Sequence, residues 1–263
     1  MYYTNQATAK TPAHVIFLID ISGSMLSTSG GQTRMSVVSQ ALTEVIFQMV
    51  DMSTKVVGTQ PTIRPRFKVA ILGYKEDVWN PYNGFVSIDK LAEIGVPIFR
   101  PEGETNTFLG FQAVDQLLDQ VLPTLGPDWP APLVCHLTDG EYNRGNSPLA
   151  LAERIMSRLT PDGPVLIENI FVASKVLRTP YATIESWTGV RSESELQNSY
   201  AVELFRMSSQ IPPSYHEMMR YWGLSSIQPD ARLMFPGSSP ELIKTALVTT
   251  GSSGGMPRNR GRD

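Results

Sequence analysis

The sequence predicts an α/β domain: an open, doubly wound, mostly parallel central sheet with helices on both faces. Three observations carry this. Short, continuous, β-branched runs such as "HVIFLI" and "VLIENIFVA" suit strands buried on both sides. Longer segments with apolar residues at helical spacing, such as "RMSVVSQALTEVIFQMV", lie between such runs. The two kinds alternate along the chain, and that order builds a parallel sheet through helical crossovers.

Taken in order, "HVIFLI" is the first strand. The helix that follows carries Val38, Ala41, Leu42, Val45 and Met49 on one face. "RFKVAILGY" is a strand, and "GFVSIDKL" is a weaker one suited to an edge. "FLGFQAVDQLLDQVL" is a helix through Ala113, Leu117, Leu118 and Val121. "PLVCHLTD" is again a strand. "SPLALAERIMSRL" is a helix with Ser147 as N-cap and Pro148 in its first turn. "VLIENIFVA" and "ARLMF" supply two more strands, and "SPELIKTALV" the last helix. Gly, Pro and Ser mark "STSGGQT", "LGPDWPAP" and "TPDGPV" as turns. Residues 1–12 read as an N-terminal extension and 13–250 as a single domain. Residues 174–230, with a helix near "NSYAVELFRMSS", are an elaboration between the last two strands. Residues 251–263 have the composition of a disordered tail.

Composition narrows the function. The chain has 263 residues, 41% of them hydrophobic, with a net charge of −3. Such a balance gives no electrostatic footprint for nucleic acid or an anionic membrane. A single cysteine, Cys135, excludes an internal disulfide. No secretory pattern opens "MYYTNQATAK", and no apolar run reaches membrane-spanning length, so the expected location is cytoplasmic. His14, His136 and His216 lack the spacing of a zinc set and read as satisfied core or surface residues. "STSGGQT" is Gly-rich but lacks the Gly-Lys-Ser/Thr of a phosphate loop.

The candidate site begins where the first strand ends, in "DISGSM". Ligands of open α/β sheets bind beyond the carboxyl ends of the strands. Asp20, Ser22 and Ser24 fall there, with Gly23 between the serines to allow a tight turn. "GETNT" offers Thr105 and Thr107 before a helix, and "LTDGE" offers Asp139 after a later strand. Two carboxylates and several hydroxyls, with no sulfur or imidazole, form a donor set for a hard cation. With only two acids the bound metal stays electrophilic and can accept an anionic oxygen from outside.

These three motifs, in this order, resemble the D-x-S-x-S motif, threonine loop and second aspartate of von Willebrand factor A (VWA) domains. The resemblance covers roughly residues 13–172 and resumes at "ARLMF…SPELIKTALV". It implies a Rossmann-like sheet of about six strands with one antiparallel edge strand. It also implies a metal-ion-dependent adhesion site. Ser22, Ser24 and Thr105 would ligate Mg²⁺ (or Mn²⁺), Asp20 and Asp139 would bind directly or through water, and Thr107 would cap the next helix. The implied partner is a protein presenting Asp or Glu to the metal. A narrower similarity, in "VLIENIFVAS" and "AVELFRMSSQIPPSY", is to bacterial cytoplasmic VWA proteins of the tellurite-resistance type, some encoded beside kinases and phosphatases. It implies a scaffold in signalling or stress response, with a kinase, PP2C-type phosphatase or ATPase as partner. The Gly- and Ser-rich "LSTSGGQT" is longer than the family's usual turn and borders the site.

Two other readings stand beside this one. A Mg²⁺-dependent phosphoryl-transfer or hydrolytic enzyme would need a base or free nucleophile, and the sequence places neither beside the acids. A vestigial site in a structural scaffold would keep the residues but bind no metal.

Overall fold

The computed structural model describes residues 2–29, 31–57, 59–140, 142–173, 176–237 and 243–247. Seven strands form the main sheet: β1 (Ala13–Asp20), β2 (Phe67–Tyr74), β3 (Val78–Trp79), β4 (Val86–Ser87), β5 (Leu133–Thr138), β6 (Leu166–Phe171) and β7 (Met234–Pro236). Their order is β7-β6-β5-β1-β2-β3, and β4 also pairs with β2. The five long-path strands run parallel, while β3 and β4 pair antiparallel with β2. The expected antiparallel edge therefore exists, split into two short pieces.

Among the described residues the sheet is accompanied by α1 (Arg34–Ser53), α2 (Ile88–Ile94), α3 (Thr107–Val121), α4 (Leu149–Met156), α5 (Ser199–Arg206) and α6 (Tyr215–Tyr221). Every residue of β1 is buried. Side chains alternate across a strand, so β1 feeds two cores. Val15, Phe17 and Ile19 pack with Val38, Leu42, Val45 and Met49 of α1 and with Ile88 and Leu91 of α2. Ile16 and Leu18 pack with Phe111, Val114 and Leu118 of α3 and with Ala152 and Ile155 of α4. Each core excludes water from one face of the sheet, which makes the fold doubly wound.

Several local expectations are corrected. "GFVSIDKL" is strand only at Val86–Ser87, and α2 begins at Ile88. Its apolar run was too short to separate a strand from a helix by periodicity, and Ile88 and Leu91, three apart, face the core. On α3, Phe111 and Val114 are buried whereas Ala113 and Val121 are only partly so. α4 starts one residue later than expected, with Pro148 at the N-cap position, and Ser147 Oγ accepts from the Leu149 N–H at 3.3 Å.

Residues of 176–230 pack on the same core through Leu204, Phe205, Met218 and Met219. They are also laced to β6, since Ser209 N–H donates to Ile167 O and Ile167 N–H to Ser209 Oγ, both at 2.9 Å. The helical turn 243–247 buries Ile243, Ala246 and Leu247, and Lys244 pairs with Glu44 of α1 at 2.7 Å. The rest of "SPELIKTALV" and the 251–263 tail lie outside the described residues. At the base of the sheet, Asp162 Oδ1 accepts from the Thr4 and Asn5 N–H groups, which pins the first residues to the domain. Among the described residues no helix is long and apolar enough to cross a membrane.

Candidate metal centre

Strand order reverses between β1 and β5, because the chain leaves β1 for β2 on one side and later returns to β5 on the other. The crevice at such a switch point is where open α/β sheets bind ligands. Asp20 ends β1 and Asp139 immediately follows β5. These strands are hydrogen-bonded neighbours, so the fold brings both carboxylates to the same crevice.

Three loops are stitched together around them. The Asp20 carboxylate folds back on its own turn, with Oδ1 accepting from the Ser22 N–H at 2.9 Å. The Ser22 and Ser24 hydroxyls lie 3.0 Å apart. The Gly23 N–H donates to Gly103 O at 3.0 Å, and the Glu102 N–H to Ile21 O at 3.0 Å. Thr105, buried, is held by its N–H to Asn143 Oδ1 at 2.9 Å, while its carbonyl accepts from the Asn143 and Arg144 N–H groups. The structure thus gathers the loops that carry Asp20, Ser22, Ser24, Thr105 and Asp139.

Gly23 has a different reason from the one expected. A side chain there would bring its Cβ within 3.2 Å of Gly103 O. The glycine serves the close approach of two loops rather than the bend of one. Thr107 is likewise not the helix cap: Asn106 is, accepting from the Leu109 N–H through Oδ1 at 3.3 Å.

Residues not foreseen support the acids from below. Thr138 Oγ1 donates to Asp20 Oδ2 at 2.8 Å and accepts from the Gly140 N–H at 2.9 Å. Tyr74 OH lies 3.4 Å from Asp20 Oδ2 and 2.8 Å from His136 Nε2. His136 Nδ1 meets Asn169 Oδ1 at 2.7 Å, and Asn169 Nδ2 donates to Ser208 Oγ at 2.9 Å. A buried polar chain therefore runs from Asp20 across β2, β5 and β6 to the end of α5. His136 is the satisfied core histidine that was expected, and burial holds its imidazole down at about 4. Only the serine, threonine and aspartate motifs had signalled the site; an aromatic hydroxyl on β2 and an imidazole on β5 have no local pattern that marks them.

Electrostatically the centre is unfinished. Burial, together with the charge of Asp139, raises the Asp20 carboxyl to about 6, against the hydrogen bonds from Ser22 and Thr138. Asp139 Oδ2 accepts from Arg34 Nη1 at 2.7 Å, while its Oδ1 is buried with no hydrogen-bond partner among the described residues. An orphaned carboxylate oxygen in a low-dielectric crevice is costly unless a cation or donor meets it. No group of three or more His, Cys, Asp or Glu placed to hold a metal ion occurs among the described residues. Any metal held here is therefore held by the mixed carboxylate–hydroxyl set, which fits a hard divalent cation.

Gly140 fixes where Asp139 points. Its φ is +87°, and an added Cβ would sit 2.5 Å from the Phe171 ring. Gly140→Ala is expected to destabilise the fold by roughly 3 kcal/mol, combining left-handed strain with overpacking. Urea unfolding measures this, and a loss below about 1 kcal/mol would show that the turn is relaxed.

No family model matches the chain, and no curated protein matches it. Among solved structures it is similar to a mutant of the PilB minor pilin from Streptococcus sanguinis, at 11% identity and a TM-score of 0.54. That likeness covers 92% of this chain and 62% of the pilin chain. It shows a shared fold: a central, mostly parallel sheet between helices. Proximal thread matrix protein 1 from the mussel byssus, in a form with a zinc occupied MIDAS motif, is 20% identical at a TM-score of 0.43, over 64% of this chain and 39% of the mussel chain. BatB from Bacteroides thetaiotaomicron is 15% identical at 0.37, over 60% of this chain and 65% of that one. The present chain thus spans less than two thirds of the length of each of these proteins.

Proposed function

We propose that this protein is a metal-dependent protein-interaction module of the VWA type. Asp20, Ser22, Ser24, Thr105 and Asp139 hold Mg²⁺ or Mn²⁺, and the remaining position takes a carboxylate from a partner protein. The observation that carries this reading is the buried Oδ1 of Asp139, which has no partner among the described residues, in a crevice of hydroxyls at the sheet's switch point. When bound, the metal supplies a Lewis-acidic position for an acidic side chain. The chain's own residues do the rest: Thr138 and the Ser22 N–H orient Asp20, and the stitched loops hold the hydroxyls in place. A hydroxyl that ligates the cation is held in place rather than free to reach a substrate, which favours binding over catalysis. The module works in a cytoplasmic scaffold for bacterial signalling or stress response, with a kinase, PP2C-type phosphatase or ATPase as partner.

Calorimetric titration of Mg²⁺ and Mn²⁺ into chelator-stripped protein tests this reading. Saturable binding is expected for the wild type and is lost in Asp139→Ala. Absence of binding in both would overturn it and leave a vestigial site. Phosphatase turnover that requires Mg²⁺ and vanishes in Ser24→Ala would favour an enzyme instead.

A further inference from the structure

The described residues of "LSTSGGQT" include two short antiparallel strands that form a hairpin. Thr28 pairs with Thr33 and Ser29 with Gln32. The hairpin returns the chain to the site, since the Arg34 N–H donates to Ser27 O at 3.0 Å. Thr33 then caps α1 by accepting from the Ser36 N–H. Arg34 is thereby fixed as the first residue of the helix, and its guanidinium reaches Asp139 Oδ2 at 2.7 Å.

Helix stability does not explain an arginine at this position. The amino end of a helix carries partial positive charge, and a cation there is unfavourable. The first turn of α1 contains no acidic residue to offset it. Arg34 gains instead from Asp139, whose side chain is 1% exposed, while its own is 26% exposed. A charge-assisted bond to a buried carboxylate is strong.

We propose that Arg34 is the resident counter-cation of the metal centre, and that it weakens metal binding while strengthening capture of an acidic ligand. This rests on the metal-site reading above. A guanidinium and a divalent cation that share one carboxylate repel each other, and the repulsion is large in a crevice of low dielectric. Arg34 also offsets the charge of one of the two proposed aspartate ligands, so the loaded centre is more cationic than it would be without this residue. Such a centre holds metal loosely by itself and more firmly when an anionic ligand completes it. Arg34 keeps Oδ2 occupied and leaves Oδ1, the orphaned oxygen, for the metal. The hairpin is the device that delivers this charge.

The test is calorimetric titration of Mg²⁺ alone into stripped wild type, Arg34→Gln and Arg34→Lys. Arg34→Gln is expected to bind Mg²⁺ about tenfold more tightly or better, with Arg34→Lys close to wild type. Tightening is the readout that mere structural damage would not produce. A second series adds acetate at saturating Mg²⁺, where Arg34→Gln is expected to bind it several-fold more weakly. Equal or weaker Mg²⁺ affinity in Arg34→Gln would overturn the inference and leave the metal site standing. No Mg²⁺ binding in any of the three would overturn the metal site itself and this inference with it. If Arg34→Gln does not fold, Arg34→Met read the same way replaces it.

Discussion

Asp20→Ala is expected to abolish divalent-metal binding while leaving the far-UV circular dichroism unchanged. The carboxylate is a ligand by the reading above, and even outer partners of metal ligands are worth about 10–100-fold in affinity; losing the ligand itself should exceed that. The fold survives for a separate reason. Asp20 is the last residue of β1, and the strand remains paired along both edges by backbone bonds that its side chain does not make. Truncation frees the Ser22 N–H and the Thr138 O–H at the crevice end of the strand, while Tyr74 OH keeps its 2.8 Å contact with His136 Nε2. It also removes a carboxylate whose ionised form burial disfavours. The two effects oppose each other, so the melting temperature should move by only a few degrees. A Mn²⁺ titration followed by electron paramagnetic resonance, beside thermal melts, checks both halves. Wild-type Mn²⁺ uptake in the variant, or aggregation of it, would refute the assignment.

His14→Phe is expected to remove the share of the fold's acid sensitivity that His14 carries, leaving that of the buried His136 in place. His14 is buried near the base of β1, with Phe85 edge-on at 5.0 Å and Trp129 stacked at 5.7 Å. Neither ring nitrogen has a hydrogen-bond partner among the described residues, which corrects the expectation of a satisfied histidine. Burial, helped by the charge of Lys68 on the paired strand, lowers its pKa from 6.5 to about 4. The unfolded chain therefore binds a proton between those values while the folded chain does not. Stability from this group is complete above pH 6.5, falls as pH drops, and is lost by about pH 4, in total about 3 kcal/mol. Between pH 7 and pH 5 the variant should lose about 2 kcal/mol less than the wild type. Asp20 has the opposite sign, since its raised pKa makes the fold more stable as it protonates. It is present in both proteins and cancels in the difference. Urea unfolding at the two pH values measures that difference, and parallel losses would contradict the neutral, buried imidazole.

Trp129, in the loop before β5, serves packing rather than the crevice. It lies against His14, six residues and about 20 Å of strand from Asp20. Its role is to close the base of the core, in company with the Asn5 side chain, which donates to Trp129 O. Trp79 is partly exposed and covers Gly73 and Phe99 at the other edge.

The alternating strands and helices were legible because burial on two faces demands continuous apolar runs, and helices that cover a sheet demand a periodic stripe. The motifs at the crevice were legible for a related reason. Asp20, Ser22 and Ser24 sit within one turn, and Asp139 follows its own strand directly, so each motif is a local pattern of small oxygen-bearing residues. What the sequence by itself determined was thus the layered α/β class and which small oxygen-bearing residues lie at the crevice. Only the tertiary structure decided which groups complete that chemistry. Arg34 and Asp139 are 105 residues apart in the chain, and Tyr74, His136 and Asn169 come from three strands. Their meeting depends on strand order, register and the reach of a hairpin. No periodicity encodes these, because each is set by the packing of whole elements against one another.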